Sequence, residues 1–147
     1  MHRTLMATAA PASTWLIRLM VGAVFVSEGL QKFLFPDSIG AGRFARIGLP
    51  APEMLALFVG SVETLAGTAM LVGVWTRVAA VPLIVTMLVA LASTKWPILM
   101  ERGFWAAAHE ARTDWSMLLG CVFLLINGAG PWSVDHRVSA RPRVVDR

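Results

Sequence analysis

Three ionisable residues stand inside the apolar stretches of this chain at spacings that could do chemistry: Glu28, Lys32 and Glu63. An ionisable side chain at a membrane-helix centre costs roughly 2.5–3.5 kcal/mol, so its default reading is functional. Desolvated carboxylates can relay protons, and Glu28 and Glu63 are the candidate catalytic groups. Lys32 follows Glu28 by one helical turn and shares its face. A second cluster runs His109-Glu110-Ala111-Arg112-Thr113-Asp114. It is not a zinc-protease HExxH, because position 113 is threonine, and no metal site is expected. With Lys95, its residues His109, Arg112 and Asp114 form a candidate polar cap over the two glutamates. Asp114 is expected near the positive end of a helix dipole.

These groups must be positioned by four apolar stretches, about Trp15–Leu34, Leu55–Val74, Val78–Ser93 and Trp115–Ala129. Each approaches the roughly 20 residues a bilayer core demands. Backbone groups in lipid must be satisfied internally, so helices are expected rather than strands. The tryptophans agree. Trp15, Trp75, Trp96, Trp115 and Trp132 flank the stretches and Trp105 falls in a connection, as in an interfacial aromatic belt. The expected fold is an all-α integral membrane four-helix antiparallel bundle. Residues 1–14 would be an N-terminal cytoplasmic segment, 15–130 the bundle, and 131–147 a basic C-terminal tail.

Spans two and three are joined by little more than Trp75-Thr76-Arg77, a tight hairpin whose third helix Thr76 could cap. Pro82 is expected to kink that helix. The connections 35–54 and 94–114 are longer and share one side. Glycines and prolines interrupt the first, and Phe104–Ala111 is expected as a short amphipathic piece on the membrane surface. Residues 1–12 lack the apolar run of a cleaved leader, so the first span is expected to be retained.

Glu28 lies six residues before the end of span one, roughly 9 Å below the long-loop face, and Glu63 roughly 12 Å below it. One polar layer holds both. Gly22, Gly29, Gly60, Thr64 and Gly67 keep the surrounding stripes small, so both carboxylates are expected to face the interior. The structural alternatives stay open: a Glu28–Lys32 ion pair, and Glu63 as an anchor on Lys32 or Arg77. Arg18 is read as structural, snorkelling to the nearer face.

Composition bounds the rest. The chain has 147 residues, is 56% hydrophobic and only 15% charged, with mean hydropathy +0.66. Soluble domains average about 25% charged, which excludes an ordinary soluble enzyme. One cysteine, Cys121, excludes an intrachain disulfide or a four-cysteine zinc site. There is no long basic run of the nucleic-acid kind, so no nucleic-acid partner is expected. No histidine lies inside a span, which excludes a bis-histidine haem. Any redox role would come through a bound organic cofactor such as quinone, or through a partner. With both termini on one side, that side carries Arg3, Arg18, Arg77, Arg137, Arg141, Arg143 and Arg147. The other carries Lys32, Arg43, Arg46, Lys95, Arg102 and Arg112. The slight excess places the termini in the cytoplasm.

The order of motifs is similar to a known family. Glu28-Gly29-xx-Lys32-Phe33 is followed by Gly48-Leu49-Pro50-Ala51-Pro52, then Gly60-xx-Glu63-xxx-Gly67, then Gly73-xx-Thr76-Arg77-x-Ala79-Ala80. Over residues 15–130 this resembles the DoxX family of small four-helix bacterial membrane proteins. The family takes its name from a subunit of thiosulfate:quinone oxidoreductase. The resemblance implies an inner-membrane protein serving a quinone-dependent oxidoreductase that acts on sulfur compounds. Glu28 and Glu63 would then relay protons. Lys32, Lys95, His109, Arg112 and Asp114 would form a substrate- or quinone-binding set. No covalently bound cofactor is expected; quinone is the expected ligand. The expected partners are the lipid bilayer, an oxidoreductase subunit and a second copy of the chain. Two alternatives remain: a non-catalytic scaffold that recruits a soluble oxidoreductase, and a small proton or solute transporter.

Overall fold

The computed structural model describes residues 10–140. The expectations for Arg3, Arg141, Arg143 and Arg147 lie outside the described residues, as does most of the 1–14 segment. Every regular element among the described residues is helical. Helix α1 spans Thr14–Leu34, α2 Ala41–Arg46, α3 Pro52–Val72 and α4 Thr76–Ala90. A π-helical turn, Leu91–Lys95, leads without a break into α5, Trp96–Arg102. Then come α6, Phe104–Asn127, and α7, Val134–Ala140.

By length and apolarity alone, two helices suffice to cross a membrane: Pro52–Val72 and the continuous Thr76–Arg102. Helices α1 and α6 are as long but carry charges, Arg18, Glu28 and Lys32 in one and Glu110, Arg112 and Asp114 in the other. The long helices pack in a closed cycle: α1 on α3, α3 on α4, α4 on α6, and α6 on α1. Val21, Phe25, Met70, Leu83 and Leu124 are fully buried between them. Large apolar side chains also point outward, Leu65 being 71% exposed. A large apolar outer surface is what a lipid solvent permits.

Helices α1 and α3 run antiparallel, with Gly22 against Gly67 and Gly29 against Gly60. A methyl group added at Gly29 would meet the Thr64 hydroxyl and lie 2.7 Å from both the Gly60 carbonyl oxygen and the Thr64 amide nitrogen. Backbone is what stands in the way, so the helices must part. Gly29→Ala should cost about 1–3 kcal/mol. Thermal unfolding in detergent measures it, and an unchanged midpoint would contradict this packing.

Several sequence expectations are corrected. Helix α6 starts at Phe104 and not at Trp115, so Phe104–Ala111 is no separate surface piece and Trp105 sits in the first turn of a helix. The polar residues end the apolar run but not the helix, because Ala106–Ala108, Glu110, Ala111 and Arg112 are strong helix formers. Residues 94–114 are accordingly helical apart from a break at Gly103, whose φ is 81°. Pro97 follows the π-helical turn directly, inside the continuous Thr76–Arg102 helix. Pro82 lies inside α4, as expected, and does not end the helix. Asp114 lies mid-helix, not at the N-terminus whose dipole was expected to favour it.

Thr76 does not cap α4, and its hydroxyl is buried without a hydrogen-bond partner among the described residues. The cap comes from far along the chain. The Trp75 and Thr76 amides donate to Asp135 Oδ1 and Oδ2 at 2.7 and 2.9 Å. Trp75 has φ 47°, a left-handed conformation costly for a bulky residue, and this clasp holds it.

Candidate functional site

Helix antiparallelism brings the C-terminal half of α1 beside the N-terminal half of α3. The glycine contacts let the two backbones approach, and that approach sets Lys32 against Glu63. Lys32 Nζ lies 2.5 Å from Glu63 Oε2. The same nitrogen donates to the Glu28 backbone carbonyl at 3.3 Å and stands 3.9 Å from Glu28 Oε2. The Lys32 and Glu63 side chains are 8% and 3% exposed, whereas that of Glu28 is 45% exposed. The expectation of two interior carboxylates is corrected for Glu28: its position on α1 turns it half outward. Lys32 is the Glu63 partner. Arg77, the other one considered, belongs to the opposite end, beside the Asp135 clasp. Arg43 of α2 adds a further positive charge to the surroundings of Glu63.

The remaining candidates divide. Lys95, on the π-helical turn, reaches Asp114 of α6 at 3.3 Å, both side chains being largely buried. A π turn inserts an extra residue and rotates the following face, and such turns recur at functional positions. His109 and Arg112 are exposed. The Arg112 guanidinium is turned back on the His109 carbonyl of its own helix. Two ion-paired groups are thus present, and no ion pair joins one to the other among the described residues.

Sequence reasoning missed a polar hub at the other end. Arg18 does not snorkel. It is 6% exposed. Its guanidinium donates to the carbonyls of Met70 (3.1 Å), Leu71 (3.1 Å), Ala129 (2.9 Å) and Trp132 (2.8 Å). Met70 and Leu71 lie at the C-terminal end of α3, where Met70 also accepts from the Gly73 amide at 3.1 Å, and Ala129 and Trp132 lie in the segment that follows α6. Asp135, 1% exposed, provides a countercharge nearby. One of only two acids, with Asp146, in an otherwise basic segment was the signal available for Asp135.

The family model described as DoxX matches residues 13–96, more than half of the chain. The chain belongs to the DoxX family. Among curated relatives of this DoxX protein is an uncharacterized membrane protein of Mycobacterium tuberculosis. It is 53% identical over 137 residues, covering 89% of this chain and 84% of the relative. No solved structure matches this DoxX protein. The family match spans α1, α3, α4 and the π-helical turn, and so includes Glu28, Lys32, Glu63 and Lys95. As a DoxX protein the chain is an integral membrane protein, in keeping with its outward apolar side chains.

Proposed function

We propose that this DoxX protein is the membrane subunit of a quinone-linked oxidoreductase acting on sulfur compounds. In this reading α1, α3, α4 with α5, and α6 form a four-helix transmembrane bundle in the inner membrane. Both termini are cytoplasmic. The observation that carries the reading is the Lys32–Glu63 pair buried in apolar surroundings with Glu28 half-exposed beside it. A charged cluster inside lipid marks function by default.

The geometry supports a division of roles. Quinone reduction consumes two electrons and two protons. The electrons would come from a partner subunit, and carboxylates at the rim of the polar layer would supply protons. Glu28 is the member open to the outer face, where a lipid-soluble ligand arrives. Glu63 is committed to Lys32 and holds that ammonium in register. The Lys95–Asp114 pair would flank the entry.

The test is quinone reduction by the complex purified from native membranes, with thiosulfate and other sulfur reductants as donors. Glu28→Gln keeps shape and burial while removing the exchangeable proton. It should lower turnover about 100-fold, the scale of a lost general acid. Full turnover in Glu28→Gln would overturn the assignment.

A second reading has its own observation. Lys32 and Glu63 satisfy each other across a tight helix crossing, which also suits a structural clamp in a scaffold subunit. Activity that resides wholly in the partner, unchanged by variants in the pair that still fold, would favour it.

A further inference from the structure

The end of the molecule that carries Arg18 has a second feature unrelated to the Lys32–Glu63 layer. A groove of about 280 Å³ is bordered by Val72, Pro131, Trp132, Ser133, Val134 and Arg137. Its floor is immobilised. Ser133 is buried and bonds the Gly130 carbonyl at 2.5 Å, while Asp135 is clasped by the α4 amides. The Trp132 carbonyl is held by Arg18. Its rim is open: Val72 is 51% and Trp132 66% exposed. Trp132 stacks on Trp15, their centroids 6.3 Å apart.

Charge decides what such a groove accepts. Arg137 is exposed and forms no ion pair among the described residues. Its nearest acid in sequence, Asp135, faces inward and is occupied by two amides. The groove therefore offers one unneutralised guanidinium beside an apolar, aromatic wall. In a membrane protein Trp15, Trp75 and Trp132, clustered at one end of the helices, mark the level of the lipid headgroups. A phosphodiester pairs well with a guanidinium, and acyl carbons pack on Val72 and the indole.

We propose that this groove is a binding site for the headgroup of one anionic phospholipid, with Arg137 on the phosphate and Trp132 and Val72 against the upper acyl chain. It rests on membrane embedding alone and not on the oxidoreductase reading. The Asp135 clasp then has a further role: it fixes the helix start that presents Arg137.

The experiment uses the full chain, purified in neutral detergent, with its thermal midpoint read before and after adding phosphatidylglycerol, phosphatidylcholine or inorganic phosphate. Phosphatidylglycerol near ten times its dissociation constant should raise the midpoint by about 4 °C, and phosphatidylcholine by much less. Arg137→Gln should abolish the difference between the two lipids. Arg102→Gln, the same charge change at the far end, should leave it intact. Equal shifts from both lipids would overturn the proposal. So would a full lipid difference in Arg137→Gln, or its equal loss in Arg102→Gln. A shift by inorganic phosphate as large as that by phosphatidylglycerol would overturn the lipid assignment.

Discussion

Replacing Lys32 by methionine is expected to lower stability by about 3–5 kcal/mol, because Glu63 is left as an unpaired buried charge. The side chain of Glu63 is 3% exposed, so water cannot take over the role of the ammonium. Adding Glu63→Leu should return most of the loss, since an apolar pair of similar volume often replaces a buried ion pair at little net cost. Unfolding of wild type, both single variants and the double variant in detergent gives the coupling directly. A harmless Lys32→Met would show that the pair clamps nothing. The double variant also separates two roles. If it folds yet the complex reduces no quinone, the pair serves the chemistry; if the complex remains active, the pair serves the fold.

The second large effect is expected at Arg18. Arg18→Leu keeps the stem volume but takes the guanidinium from the carbonyls of Met70, Leu71, Ala129 and Trp132, of which Met70 keeps the Gly73 amide. It also leaves Asp135 without its nearby countercharge. Such a loss costs about 3–5 kcal/mol. In a chain of this size the thermal midpoint should fall by about 10 °C. Arg18→Lys should recover only part, because one ammonium cannot span four acceptors as a planar fork does. Full stability in Arg18→Leu would contradict the hub.

The contrast between the two sites shows what sequence carries. The Lys32–Glu63 pair was legible as one of two alternatives: glycines at regular spacing on two stretches implied close approach and depth put Glu28 and Glu63 in one layer, but Arg77 stood beside Lys32 as the partner of Glu63. Which way Glu28 turned was not legible, since a shift of one helical position decides inside from outside. The extent of α6 was missed because an apolar run measures burial in lipid, and helix propensity extends past it. Arg18 was read as structural, but its hub and the Asp135 clasp were missed for a different reason. Their partners are backbone atoms, which no side-chain pattern reveals, and the clasp joins residues 59 apart.

That separation has a consequence for the order in which the chain is made. The turn between α3 and α4 is complete long before Asp135 exists. At about 5–20 residues per second, the ribosome needs about 3–12 s to extend from Thr76 to Asp135. Through that interval the left-handed Trp75 and the first amides of α4 have only water and headgroups to satisfy them. The hairpin therefore enters the membrane unlocked, and the Val134–Ala140 helix closes it once it emerges.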